Sequence, residues 1–202
     1  MIEIQKKSPK LPKVWGFTIF SLRFTVLLKA FLLFLKQPTY KTNLKGFKDN
    51  LSDVLFYFIF NIIVTFVFLC LIYLSVVSGF NKFPINKASN ETYLLSTIFF
   101  VLILSPIIEE LIFRFPLFLY YNSKKIKVAY YFSSVVFSLI HIFKLNFDNY
   151  LILNYCLILT PIFFGGLMLG YIRIIYGLKF SILLHILHNF WLLIFGLLFS
   201  YA

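Results

Sequence analysis

Two adjacent glutamates, Glu109 and Glu110, and an arginine one turn later, Arg114, interrupt an apolar run from Tyr93 to Tyr121. An ionised carboxylate at the centre of a membrane helix costs roughly 2.5–3.5 kcal/mol even on a lenient insertion scale, so such groups must face protein or a wet cavity. All three histidines also fall in apolar runs: His141, then His185 and His188 beside Asn189. Glu110 and Arg114 stand at i, i+4 and can pair on one helix face, and His185 and Asn189 share a face for the same reason. His188 lies between those two in angle, and geometry alone does not set it aside. A glutamate in a dry pocket can act as a general base. A nearby histidine can share the proton of a water, while a second histidine and an asparagine amide can donate to a developing oxyanion. That set suits attack of water on a peptide carbonyl. Glu109, His141 and His185 could equally hold a divalent metal such as zinc, with water as the fourth ligand. Spacing across separate helices leaves the metal-dependent and metal-free routes open. It also leaves open helix packing through buried polar pairs and a proton or ion pathway.

These residues need elements to position them, and composition says of what kind. The chain has 202 residues, 61% hydrophobic and 13% charged, which points to an all-α, polytopic transmembrane helix bundle. Five spans are expected, at Val54–Ser78, Tyr93–Tyr121, Val128–Phe143, Tyr150–Ile174 and Phe180–Ser200. Residues 15–36 form a sixth helix, interfacial or spanning. Thr18, Ser21, Thr25, Lys29 and Lys36 draw one polar stripe along it, which favours the interface. The chain thus divides into a basic tail, helix and linker over 1–53 and a transmembrane core over 54–202. With a helical rise of about 1.5 Å per residue, Glu109, His141, His185 and Asn189 lie about 18, 21, 9 and 15 Å in from the ends of their spans on one side. Tilt lets them meet at one level.

The net charge of +12 sits in the tail and loops. It reads as positive-inside bias and attraction to anionic lipid, not as a nucleic-acid surface. It places the N-terminus in the cytoplasm of a multi-pass cell-membrane protein. The basic start has no small-residue cleavage site after its apolar stretch, so no removable signal peptide is expected. Cys70 and Cys156 lie in apolar runs and are expected as buried free thiols.

EELIFR at 109–114 resembles the EExxxR motif of the CAAX-protease and bacteriocin-processing family of intramembrane peptidases, also called the CPBP or Abi family. FSLIH at 137–141 resembles its FxxxH motif, and HILHN at 185–189 its HxxxN motif. The stretch from Phe163 to Asn189, with Gly166, Gly170, Gly177 and Ser181, looks like the family's approach to the third motif. Three motifs in order, each in a span, carry the resemblance over about residues 93–190. It implies Glu109 as the base that activates water, His141 as its partner, His185 and Asn189 as oxyanion ligands, and Glu110 and Arg114 as groups that orient the site. It implies a peptide or membrane-protein substrate and contact with lipid. Both metalloprotease and metal-free glutamate mechanisms are associated with the family. A non-catalytic scaffold, a bacteriocin self-immunity protein and a coupled transporter stay as alternatives. Gly166 and Gly170 are expected at a close helix contact. Pro106 and Pro116, which bracket the glutamates, are expected to free carbonyls that a neighbour must satisfy.

Overall fold

The computed structural model describes residues 16–39, 46–78, 98–120, 123–144 and 152–200. It is all helical over those residues. In order come α1 (Gly16–Lys36), α2 (Phe47–Val77), α3 (Ser105–Phe113), α4 (Ile126–Ile140), α5 (Ile152–Ile175) and α6 (Leu178–Ser200). Among the described residues, three helical stretches are long and apolar enough to cross a membrane: Phe47–Ser75, Tyr155–Ile175 and Leu178–Gly196. Ile126–Ile140 is apolar but shorter. Large apolar side chains on α2, α3 and α4, such as Phe66, Leu74, Ile112, Val128 and Phe132, are exposed, as helices facing hydrocarbon require. Cys70 and Cys156 are free but exposed, which corrects the expectation of burial. A thiol behaves as a small hydrophobe, so a lipid-facing position suits it as well as a core position.

The expected second span is not one continuous α-helix over its described part. A π-helical turn, Phe100–Leu104, precedes α3, and a 3-10 segment, Phe115–Tyr120, follows it. Prolines explain both joints. Pro116 has no N–H to continue the ladder and biases Phe115 away from the α conformation, so α3 ends at Phe113. At the other end Ser105 N–H donates to Phe100 O, five residues back. Pro106 is next in that register and brings no N–H for the carbonyl of Val101. Residues 93–97 and 121 of that span lie outside the described residues, as do the N-terminal tail to residue 15, part of the linker, and Lys82 and Lys87.

The α5 helix is the hub, packed against α2, α4 and α6. It meets α4 tightly at the two expected glycines. A Cβ on Gly170 would stand 2.9 Å from a ring carbon of Tyr130, and one on Gly166 would stand 3.2 Å from the ring of Phe137. Tyr130 OH donates to Leu167 O at 2.7 Å across the same contact. Gly177 (φ 99°) makes the turn into α6, donating its N–H to Ile172 O at 3.1 Å; a side chain there would be strained. Helix α1 docks through Leu27, Phe31 and Phe34, all buried, while Thr25, Lys29 and Lys36 of its polar stripe are exposed. Phe31 and Phe34 meet Tyr171 edge-on, with centroids 5.2 and 4.9 Å apart. Tyr57 OH donates to Leu27 O at 3.0 Å, and Arg23 pairs with Asp53 at 2.6 Å. Tyr176 OH donates to the other oxygen of Asp53 at 3.3 Å, so one carboxylate ties α1, α2 and the α5–α6 turn.

Candidate active site

A cavity of about 590 Å³ opens between α2, α3, α4, α5 and α6. Glu109, His141, His185 and Asn189 all line it, and so do His188, Ser105, Asn61 and Thr65. The rest of the wall is mostly apolar, including Phe100, Phe137, Pro161 and Leu192. Four of the six residues singled out by sequence therefore meet at one surface. The other two, Glu110 and Arg114, stand behind it with no exposure.

That second layer is built one helical turn at a time. Arg114 Nε lies 3.7 Å from Glu110 Oε1, an i, i+4 pair. Its Nη2 donates to Gly166 O at 3.4 Å, and its guanidinium lies 4.0 Å from the Phe137 ring centroid. Glu110 accepts from Ser181 Oγ in a short contact and from His185 Nδ1 at 3.2 Å. A buried charge needs several such partners to be tolerated. The closeness of α5 matters here, because Gly166 supplies both the carbonyl and the space that Arg114 uses. Glu110 Oε1 thus fixes one ring nitrogen of His185, and the other nitrogen, Nε2, faces Glu109 Oε2 at 3.7 Å. That separation brings charges together without a hydrogen bond.

Glu109 is held from its own helix. Ser105 Oγ donates to Glu109 Oε1 at 2.6 Å, again at i, i+4. His141 stands where α4 tightens into a 3-10 turn. Its backbone N–H turns to Ser138 O and Leu139 O, which leaves the Phe137 carbonyl, four residues back, for another donor. His141 Nδ1 takes it at 2.8 Å. A carbonyl can only accept, so Nδ1 carries a proton and neutral His141 keeps its lone pair on Nε2. Asn189 Nδ2 donates to Val101 O at 3.0 Å, the carbonyl that Pro106 leaves without an N–H. An amide nitrogen has two hydrogens, so Val101 engages one and orients the other.

Among the described residues, no three His, Cys, Asp or Glu side chains are placed to hold a metal ion. Glu109, His141 and His185 line one cavity, but one ring nitrogen of each histidine is engaged elsewhere and their remaining donors do not converge. The zinc set that the sequence leaves open, Glu109, His141 and His185, does not fit the side chains as they stand.

Ser105, Ser181, Asn61 and Thr65 were not singled out as site residues from sequence, and Phe137 counted only as part of a motif. Two of them could have been found by stepping one turn from a motif residue, since Ser105 to Glu109 and Ser181 to His185 are each i, i+4, whereas Asn61 and Thr65 stand on a helix with no motif.

A family model described as "Rce1-like: Type II CAAX prenyl endopeptidase Rce1-like" matches residues 91–191, half of the chain. No curated protein and no solved structure matches it. The matched segment runs from before the π-helical turn through Asn189 and holds every residue of the three motifs. With three long apolar helices among its described residues, this chain is a membrane protein that belongs to the Rce1-like family of type II CAAX prenyl endopeptidases.

Proposed function

We propose that this protein is an intramembrane endopeptidase that crosses the membrane several times, with its N-terminus in the cytoplasm. Glu109 and His141 activate the attacking water. The observation that carries the proposal is the meeting of Glu109, His141, His185 and Asn189 at one mostly apolar cavity, in a segment that matches a peptidase family. A water between Glu109 and His141 Nε2 gives its proton to Glu109 as its oxygen bonds to the scissile carbonyl carbon. The carbonyl oxygen becomes an oxyanion, which the second Nδ2 hydrogen of Asn189 and His185 Nε2 stabilise. With Nδ1 already donating to Glu110, His185 donates from Nε2 only as the doubly protonated ring, which faces Glu109 as an ion pair. The proton held by Glu109 then passes to the leaving amine as the C–N bond breaks. Glu110 and Arg114 orient His185 and touch no reacting atom. The basic N-terminal region holds the protein to anionic lipid.

The test uses purified protein in liposomes and a peptide ending in a prenylated Cys, two aliphatic residues and one further residue with a free carboxylate. Mass spectrometry of the products should show one cut near the prenylated Cys with wild type. Glu109→Gln and His141→Ala should each lose it while keeping the thermal unfolding midpoint. Cleavage that persists in Glu109→Gln would remove the assigned base.

A further inference from the structure

Two polar side chains of the cavity wall have no part in the reaction just described. Asn61 projects from α2 and is 3% exposed. Its Nδ2 lies 3.1 Å from Nδ1 of His188 on α6. Both line the cavity, with Thr65 one turn from Asn61. Asn61 lies outside the family-matched segment, so the motifs do not account for it. The His188 ring stacks toward Trp191 with centroids 6.4 Å apart and planes 29° from parallel. The imidazole is therefore held both at an edge and on a face. An amide N–H donates, so His188 Nδ1 accepts, and the neutral ring carries its proton on Nε2. His141 is fixed the opposite way by Phe137 O. The cavity holds one imidazole set to accept and another set to donate.

We propose that His188 is a substrate-positioning residue whose Nε2–H binds a backbone carbonyl of the peptide in the cavity, and that Asn61 sets its tautomer. The proposal rests on the peptidase reading above. A peptide entering a mostly apolar cavity sheds the water on its carbonyls, and each one left without a donor costs free energy. An extended peptide turns alternate carbonyls to the same side, about 7 Å apart. Side chains at i, i+3 on a helix are spaced on a similar scale, about 5–6 Å between Cβ atoms. With His185 and Asn189 on the scissile carbonyl, His188 falls to the carbonyl two residues away. Polar glue between α2 and α6 would fix the same tautomer through the Asn61–His188 bond, but its Nε2 would not respond to a peptide in the cavity.

The experiment reads binding, not turnover. Full-length Glu109→Gln protein with ring-¹⁵N histidine is placed in lipid nanodiscs and titrated with the prenylated peptide. The His188 signals are assigned by their loss in Glu109→Gln/His188→Gln. The expected result is a His188 protonated at Nε2 in the free protein, with that nitrogen shifting on peptide addition. His188→Gln keeps a donor and should bind within about twofold of its parent, while His188→Phe keeps the stack alone and should bind about tenfold more weakly, the scale of one hydrogen bond. Asn61→Asp should move the proton to Nδ1 and weaken binding as His188→Phe does. A His188 protonated at Nδ1 before any peptide is added would overturn the proposal. So would undiminished binding by His188→Phe, or no binding by the parent. If His188→Phe fails to fold, the Nε2 shift on peptide addition and the His188→Gln affinity still decide. Binding with all the expected signs by a protein whose wild type cuts nothing would sink the peptidase reading and leave this one standing.

Discussion

Glu109 and Glu110 are consecutive, yet they occupy two different kinds of surroundings. Glu110 is sealed among Arg114, Ser181 and His185, with no exposure. Glu109 points into a cavity shared with His141, His188 and Asn189. One step along a helix turns a side chain by about 100°, and that turn separates a group that holds the site from a group that can do chemistry. A sealed carboxylate cannot meet a water or a substrate, whereas the cavity-facing one can. The sealed layer still reaches the reaction indirectly, because Glu110 fixes His185 Nδ1 and leaves Nε2 toward Glu109.

The sharpest way to break this comparison is to neutralise each layer and read activity and stability separately. Glu109→Gln should cost about 10³-fold in turnover, within the range for loss of a general base, with the thermal midpoint unmoved. Arg114→Met should do the reverse in kind. It takes the arginine from a fully buried carboxylate, a change worth about 3–5 kcal/mol, and should appear as a lowered unfolding midpoint in detergent before any assay is run. A stable Arg114→Met protein with normal folding would mean that the layer behind the cavity is not held by charge.

The motifs are compact enough to be legible in sequence because each is a single helical turn. Glu110 and Arg114, Phe137 and His141, and His185 and Asn189 all stand at i, i+4, so local geometry fixes their relation before any tertiary contact forms. The all-helical class was legible for a similar reason, since runs this apolar leave backbone groups few other ways to be satisfied. The close contact at Gly166 and Gly170 was legible from residue size. What was not legible depends on partners from elsewhere in the chain. Asn61 stands on a helix with no motif, and only the approach of α2 to α6 brings it to His188. Pro106 announced that a carbonyl would be freed, but not that Asn189 would be the group to meet it. Nor could spacing decide between metal and water. Where the second nitrogen of each imidazole points depends on the partner of the first, the carbonyl of Phe137 for His141 and the carboxylate of Glu110 for His185. Helix α1 showed its polar stripe in sequence, but its aromatic docking onto Tyr57 and Tyr171 rests on rings three helices apart.

The smallest effects give the finest test, because the same substitution can be made in each layer. Ser181 donates to Glu110 and Ser105 donates to Glu109. Ser181→Ala removes a donor from a carboxylate with no access to water, and an unsatisfied buried group costs about 1–3 kcal/mol. It should lower the unfolding midpoint, while kcat changes only as far as His185 loosens. Ser105→Ala removes a donor from a carboxylate at a cavity, where a water can take its place. Its midpoint should stay near wild type. The carboxylate would lose its fixed orientation toward the attacking water, and kcat should fall about three- to tenfold, what about 1 kcal/mol of positioning is worth. KM for the prenylated peptide should not move, since Ser105 touches Glu109 and not the substrate. If both alanine variants lose stability and neither loses kcat selectively, Glu109 belongs to the same sealed layer as Glu110, and the assignment of the base must move elsewhere in the cavity.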